Sequence, residues 1–187
     1  MIFKEIYPPR FIQQFNDAAP AFEKLKTLDG TPYIPLDEVA RVLDITIQYK
    51  QLADDNNGEF EHDTRTLSIN EKDPKTRKRF TIAHEIGHAV LNHPGISLRS
   101  TSLTAYDSIV KKSNEMAANG FAADLLMPRA LMVSLTQNII TSQRLNADSL
   151  GADDVQNISI QLADELGVSR ESMSYRIKNV RLFVNHD

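Results

Sequence analysis

The chain has 187 residues, of which 41% are hydrophobic and 25% charged, with a formal net charge of −4. Such a chain can bury the core of one moderately large domain, and its acidic balance argues against a protein that coats nucleic acid. It contains no cysteine, which excludes a disulfide framework and thiolate-held zinc, so any metal must rest on nitrogen and oxygen ligands.

No apolar run approaches the roughly 18–20 residues of a membrane span. The start, Met1-Ile2-Phe3-Lys4-Glu5, leads into no uninterrupted apolar stretch, so no signal peptide is expected and the cytoplasm is the expected location. Phe11, Phe15, Ala18, Phe22, Leu25 and Leu28 form a helical stripe that Pro20 interrupts, which predicts two short helices or one kinked helix. Asp29-Gly30-Thr31-Pro32 breaks the chain. A helix is predicted from about Pro35 to Leu43, with Leu36, Val39, Ala40 and Leu43 on one side.

Residues 45–49 alternate with β-branched side chains and predict a strand, and 58–62 and 66–69 predict two more, joined around Asp63-Thr64-Arg65. Asp73-Pro74 then reads as N-cap and first residue of a helix over about 74–93. Residues 94–107 are rich in Gly, Ser and Thr without periodicity and predict a long loop, which could gate a neighbouring cleft. A second strong helix is expected over about 108–127, stopped by Pro128, and a third over 129–140. After a polar linker come two short helices, about 155–166 and 170–179, separated by Gly167-Val168-Ser169.

The chemistry centres on His84-Glu85-Ile86-Gly87-His88. Two histidines four apart on a helix stand about 40° apart around the axis and one turn along it, so both rings can reach one metal ion. Glu85, beside the first histidine, is placed to take a proton from a water at that metal, the zinc-peptidase pattern. A catalytic zinc usually takes three protein ligands. His93 lies about 180° around the helix from His84 and is expected to face away or to end the helix. Glu115 is the better third ligand: it sits on the second strong helix with Ala118, Asn119, Ala122 and Leu126 on its face. The small residues would let that helix pack closely on the histidine helix, and a carboxylate among such neighbours would be costly unless paired or metal-bound.

The blocks around these residues resemble a known family, the ImmA/IrrE metallopeptidases. Arg79-Phe80-Thr81-Ile82-Ala83-His84-Glu85-Ile86-Gly87-His88 is similar to its histidine-helix core. The stretch from Glu115 through Ala118-Asn119, Phe121-Ala122 and Leu125-Leu126-Met127-Pro128 is similar to its second block. The resemblance covers about 35–128 well and 162–182 more weakly, and residues 1–30 match nothing in it. In this chain Asn92 stands between three apolar residues and His93, where the family's helix often ends directly in histidine. The resemblance implies an α+β fold: a mainly helical, zincin-like core with a small antiparallel sheet. It also implies Zn²⁺ on His84, His88 and Glu115, with Mn²⁺ as the alternative ion, and Glu85 as catalytic base. It further implies a protein substrate, a helix-turn-helix repressor encoded nearby, and regulators of mobile elements or toxin–antitoxin modules.

Three segments are expected: an N-terminal helical extension over 1–30, the metallopeptidase core over 31–145, and a helix-turn-helix-like tail over 146–187. Residues 151–187 hold six acids and four bases, net −2, whereas phosphate-contacting domains are usually basic. DNA contact by the tail is therefore the weaker expectation, behind packing or repressor recognition. Tyr106, His93 and Tyr175 are the candidate oxyanion donors, and strand 66–70 is a candidate edge for an extended substrate. Two functions from different classes follow: a zinc endopeptidase acting on a repressor, or a DNA-binding or toxin–antitoxin regulator that uses the fold as a scaffold.

Overall fold

The computed structural model describes residues 1–53, 56–93 and 105–183, with only the backbone for 105–107. The α+β expectation holds. Short helices α1 (Phe3–Ile6), α2 (Pro9–Ile12) and α3 (Ala19–Phe22) lead into α4 (Leu36–Val42), then strands β1 (Thr46–Lys50), β2 (Gly58–Glu61) and β3 (Thr66–Asn70). Helices α5 (Lys75–Val90), α6 (Ala105–Leu126), α7 (Arg129–Gln143), α8 (Ala152–Leu166) and α9 (Arg170–Val180) follow. Of the 94–107 loop, 94–104 lies outside the described residues, and 105–107 already belong to α6.

The N-terminal segment departs from the predicted kink. The break falls at Asn16, whose φ is 49°, between two parts of a 3₁₀ stretch over Gln13–Ala18, while Pro20 sits harmlessly in the first turn of α3. Proline lacks only a donor that the first turn cannot use anyway. What orders this stretch is aromatic packing. Phe15 stacks on Phe22 with centroids 3.7 Å apart, Phe3 meets Phe22 edge-on at 5.0 Å, and Phe11 stacks on Phe121 of α6 at 5.0 Å. Tyr7, fully buried, donates its hydroxyl to the Leu125 carbonyl at 2.6 Å.

The sheet has the order β1-β3-β2. β2 and β3 form the expected antiparallel hairpin, but β1 pairs with β3 in parallel, so the sheet is mixed. The β3 residues Leu67 and Ile69 are wholly buried. This arrangement corrects the edge-strand expectation: β3 lies in the middle with both sides paired, and among the described residues β1 and β2 are the outer strands. Helix α5 lies against the row Tyr49–Ile69–Gly58. A Cβ on Gly58 would run into Thr81 Cγ2, and Lys78 Nζ stands 5.9 Å from the Tyr49 ring. The glycine therefore brings β2 within touching distance of α5 one turn before His84.

Helices α5 and α6 pack through Ile82, Ala83, Ile86 and Val90 against Phe121, Ala122 and Leu125, all buried. Burial of each large apolar side chain contributes roughly 1.5–3 kcal/mol. The crossing is close because small residues meet: a Cβ on Gly87 would stand 3.3 Å from Ala118 Cα and 3.0 Å from Phe121 Cδ1. Asp73 does not cap α5. Pro74 occupies that position, and Asp73 Oδ2 is buried without a hydrogen-bond partner among the described residues.

Arg79 of α5 is a buried tie between distant parts. Its guanidinium donates to the Ile34 carbonyl at 3.2 Å from both terminal nitrogens, reaches the Leu166 carbonyl at 3.5 Å and lies 3.5 Å over the Tyr33 ring. Burial lowers its pKa from the usual value and the neighbouring Tyr33 opposes the shift. Arg176 of α9 pairs with Asp124 at 2.7 Å and donates to the Met127 carbonyl at 2.9 Å. With Ile158, Leu162 and Leu166 of α8 and Met173 of α9 fully buried, the α8–Gly167–α9 unit packs onto the core through both of its helices. Side chains from 1–30, the centre and 146–187 share one hydrophobic cluster. Among the described residues no helix is long and apolar enough to cross a membrane.

Candidate metal centre

His84 and His88 project from the same face of α5, as their spacing dictates, and Glu115 meets them from α6 across the Gly87–Ala118 crossing. One ligand atom from each lies within 4.8 Å of the others. The nearest approaches are 3.0 Å between the two Nε2 atoms, 3.4 Å from His84 Nε2 to Glu115 Oε2, and 3.6 Å from His88 Nε2 to Glu115 Oε1. Donor atoms about 2.0–2.2 Å from one tetrahedral ion stand roughly 3.3–3.6 Å apart. The three residues therefore fit such an ion, and their all-N/O chemistry suits zinc or manganese.

The rings are largely buried while the Glu115 side chain keeps 46% of its surface exposed. The burial argument for Glu115 thus needs correcting. Ala118, Ala122 and Leu126 are buried, but the carboxylate stands at the solvent side of that face, opposite two imidazoles. The result is a cluster open to solvent on one side, as a catalytic site requires and a closed structural site does not.

Each ring's other nitrogen is also engaged. His84 Nδ1 lies 2.9 Å from Asn119 Oδ1, an acceptor one turn beyond Glu115 on α6. His88 Nδ1 lies 3.0 Å from His93 Nδ1. The expectation that His93 faces away is therefore corrected. Helix α5 ends at Val90, Asn92 turns left-handed at φ 51°, and the amides of Asn92 and His93 return to the carbonyls of Ala89 and His88 at 3.4 and 3.1 Å. This is a Schellman ending, and asparagine tolerates its left-handed position better than most residues. The turn folds His93 back toward the ring it follows. Periodicity could not have found this, because His93 is no longer on the helix. Asn119 was within reach of sequence reasoning, standing four residues after Glu115 on the same face.

Burial lowers the His88 pKa, the charge of His84 lowers it further, and Glu115 opposes both. The same burial lowers that of His93. Neutral imidazole is the form that binds metal. Glu85, half-buried beside His84, has its carboxyl raised above the ordinary range by burial, with His84 pulling it down and Glu115 pushing it up. Of the remaining candidates, Tyr106's side chain lies outside the described residues. Tyr175 is 62% exposed on α9, beside the Arg176 that is tied to Asp124, nine residues beyond Glu115.

A family model described as Peptidase_M78, IrrE N-terminal-like domain, matches residues 40–178. The chain belongs to this family. The match begins inside α4 and ends in α9, so the M78 region contains the sheet, the His84–His88–Glu115 cluster and most of the tail. Residues 1–30 lie outside it, although their aromatics build part of the same core. A solved structure of a Mycobacterium tuberculosis transcriptional regulator superposes with a TM-score of 0.54 at 16% identity, over 95% of this chain and 52% of that one. Likeness at that identity concerns the fold alone, and this chain spans about half the length of that regulator. No curated protein matches the chain.

Proposed function

We propose that this M78 protein is a zinc-dependent endopeptidase that cleaves a regulatory protein, in the first instance a helix-turn-helix repressor encoded nearby. The observation that carries the reading is the convergence of His84, His88 and Glu115 on one point with Glu85 adjacent and solvent at hand. His84, His88 and Glu115 would hold the ion. When bound, zinc would supply Lewis acidity for the scissile carbonyl and a lowered pKa for the attacking water.

The chain's own groups carry the rest. Glu85 accepts the proton that the water loses as its oxygen attacks the carbonyl carbon, and returns it to the nitrogen as the C–N bond breaks. A raised carboxyl pKa makes the ionised group a better base for the first half of that exchange and moves it toward the working pH, where one carboxyl can both take and return a proton. Among the described oxyanion-donor candidates, His93 is the one that touches the cluster, through His88. The outer strand β2 touches α5 just before His84 and is better placed than β3 to receive an extended substrate by edge pairing. The expected setting is the cytoplasm, with Mn²⁺ as a second ion to test.

The rival reading is a DNA-binding or toxin–antitoxin regulator that uses the fold as a scaffold. Its support is the α8–Gly167–α9 unit, where Ser169 caps α9 as a recognition helix would be capped. Against it stand the net −2 charge of 151–187 and the engagement of Arg176 with Asp124 rather than with solvent. The deciding experiment incubates wild-type protein and Glu85→Gln with the neighbouring repressor, with and without Zn²⁺. Metal-dependent cleavage by wild type alone is expected. Equal biological activity of Glu85→Gln would transfer the function to the rival.

A further inference from the structure

We infer that His93 is a positioning residue for His88: its Nδ1 accepts the Nδ1–H of His88 and so aims the His88 Nε2 lone pair at the metal cluster. The inference rests on the metal-site reading above and adds to it a residue outside the ligand set. The geometry leaves little choice of tautomer. His88 Nε2 faces His84 Nε2 at 3.0 Å and Glu115 Oε1 at 3.6 Å, so it is the nitrogen that must be free of a proton for a metal to bind. In neutral imidazole the proton then sits on Nδ1. The atom 3.0 Å from that nitrogen is His93 Nδ1. It can accept only as a lone pair, which places the proton of His93 on its own Nε2.

His84 has the same arrangement, with Asn119 Oδ1 as the acceptor at 2.9 Å. The two proposed ligand rings are thus oriented by different chemistries, one by an amide on the facing helix and one by a histidine just past the end of their own. His93 is not a fourth ligand in this arrangement. Among the described residues the group of atoms within mutual reach of one ion comprises His84, His88 and Glu115, and the His93 nitrogen nearest to them is spent on His88. Its position depends on the left-handed Asn92, because a helix continued through 93 would carry the ring to the opposite side. Outer partners of metal-binding histidines fix ring orientation and typically change metal affinity 10–100-fold.

The test measures zinc affinity of the full chain by competition with a chromophoric chelator, and the absorption spectrum after Co²⁺ loading, for wild type, His93→Phe and His93→Gln. Circular dichroism confirms that each variant folds. His93→Phe removes the acceptor and is expected to weaken zinc binding about 10–100-fold. His93→Gln, whose amide oxygen can accept in the same place, is expected to recover most of that loss. In all three the Co²⁺ bands should keep the position and intensity of one coordination number. Unchanged affinity in His93→Phe overturns the inference. A Co²⁺ spectrum that changes coordination number in both variants also overturns it, in favour of His93 as a ligand, and a wild type that binds no zinc removes both this inference and the metal site. Failure of the wild type to cleave any repressor, with the affinity pattern intact, overturns the peptidase reading and leaves the positioning role standing.

Discussion

Asn119 Oδ1 receives His84 Nδ1 at 2.9 Å, and Asn119 lies one helical turn from Glu115 on the same helix. One turn of α6 therefore carries both a proposed metal ligand and the group that orients another ligand across the interface. Asn119→Leu should leave the ligand set intact but weaken zinc binding about tenfold or more. Asn119→Asp, which retains an oxygen acceptor and adds charge, should bind at least as tightly as wild type. Chelator competition on the two purified variants checks this, and equal affinity in Asn119→Leu would remove the orienting role.

Because Glu115 and Asn119 reach the histidines through the helix crossing, the proposed site depends on that crossing. A methyl on Gly87 would press on Ala118 backbone atoms at 3.3 Å, which cannot rotate away as a side-chain tip can. Gly87→Ala should therefore cost about 1–3 kcal/mol of stability. It should also reduce zinc affinity by separating α5 from α6. Urea unfolding measures the first effect and chelator competition the second. A stable variant with wild-type affinity would show that the interface adapts.

Glu85→Gln should retain zinc and lose about 10²–10⁴-fold in peptide cleavage, while His84→Ala should lose both. The pH dependence follows from the direction of the Glu85 shift. Only the ionised carboxylate can accept a proton, and burial raises its pKa above the ordinary carboxylate range. In the metal-free protein the Glu85 carboxyl should thus titrate above the range of an exposed glutamate, and Zn²⁺ bound beside it, whose charge favours the carboxylate, should bring that titration back down. Carboxyl NMR of the metal-free and zinc-loaded protein checks this, and a metal-free titration in the ordinary glutamate range would show that burial does not govern this group.

How much of this was legible in the sequence depended on whether a feature is local. His84 and His88 share a face because 3.6 residues make a turn, and Ala118 and Ala122 announced a close helix contact by their size. Both readings needed only the helix. The N-terminal segment was different: its kink lies at Asn16 because Phe11, Phe15 and Phe22 must all reach one cluster with Phe121, a partner about a hundred residues away in the chain. The parallel β1 and the central β3 are likewise long-range outcomes that a hairpin pattern cannot specify. His93 was hidden by a single left-handed residue, since the helical wheel used to place it stops applying at Asn92.

Tyr7 offers a test of how residues 1–30 join the rest. Its hydroxyl is buried against the Leu125 carbonyl, and burial raises its pKa well above the usual value, with Arg79 opposing and Asp124 adding to the shift. The folded state thus prefers the neutral phenol. Its contribution is fully present below the unfolded pKa of about 10 and is lost as the pH rises through the higher folded value. Tyr7→Phe should cost about 1 kcal/mol at neutral pH through the lost hydrogen bond. The difference from wild type should shrink above pH of about 10, where wild type begins to carry the cost of ionising a buried group. Thermal unfolding of both proteins at several pH values checks this. A constant difference across the range would show that Tyr7 ionises without opposing the fold.

The turn between α8 and α9 provides the last test, because two independent constraints meet at one glycine. Gly167 has φ +65°, a conformation that costs an ordinary L-residue about 1–2 kcal/mol. A Cβ there would also stand 2.5 Å from Tyr33 Cε2 and 3.2 Å from Arg79 Nε. Tyr33 is the ring beneath the Arg79 guanidinium, and Arg79 also reaches the carbonyl of Leu166 just before the turn. Gly167→Ala must accordingly strain its own backbone and push the ring off the arginine that ties α8 to α5. Its destabilisation should exceed the backbone cost alone. Shortening the ring partner in Tyr33→Ala should relieve only the steric share, so the double variant should be less destabilised than the sum of the two single ones. Strict additivity in a thermal or urea unfolding cycle would show that the turn and the Tyr33–Arg79 stack are energetically separate.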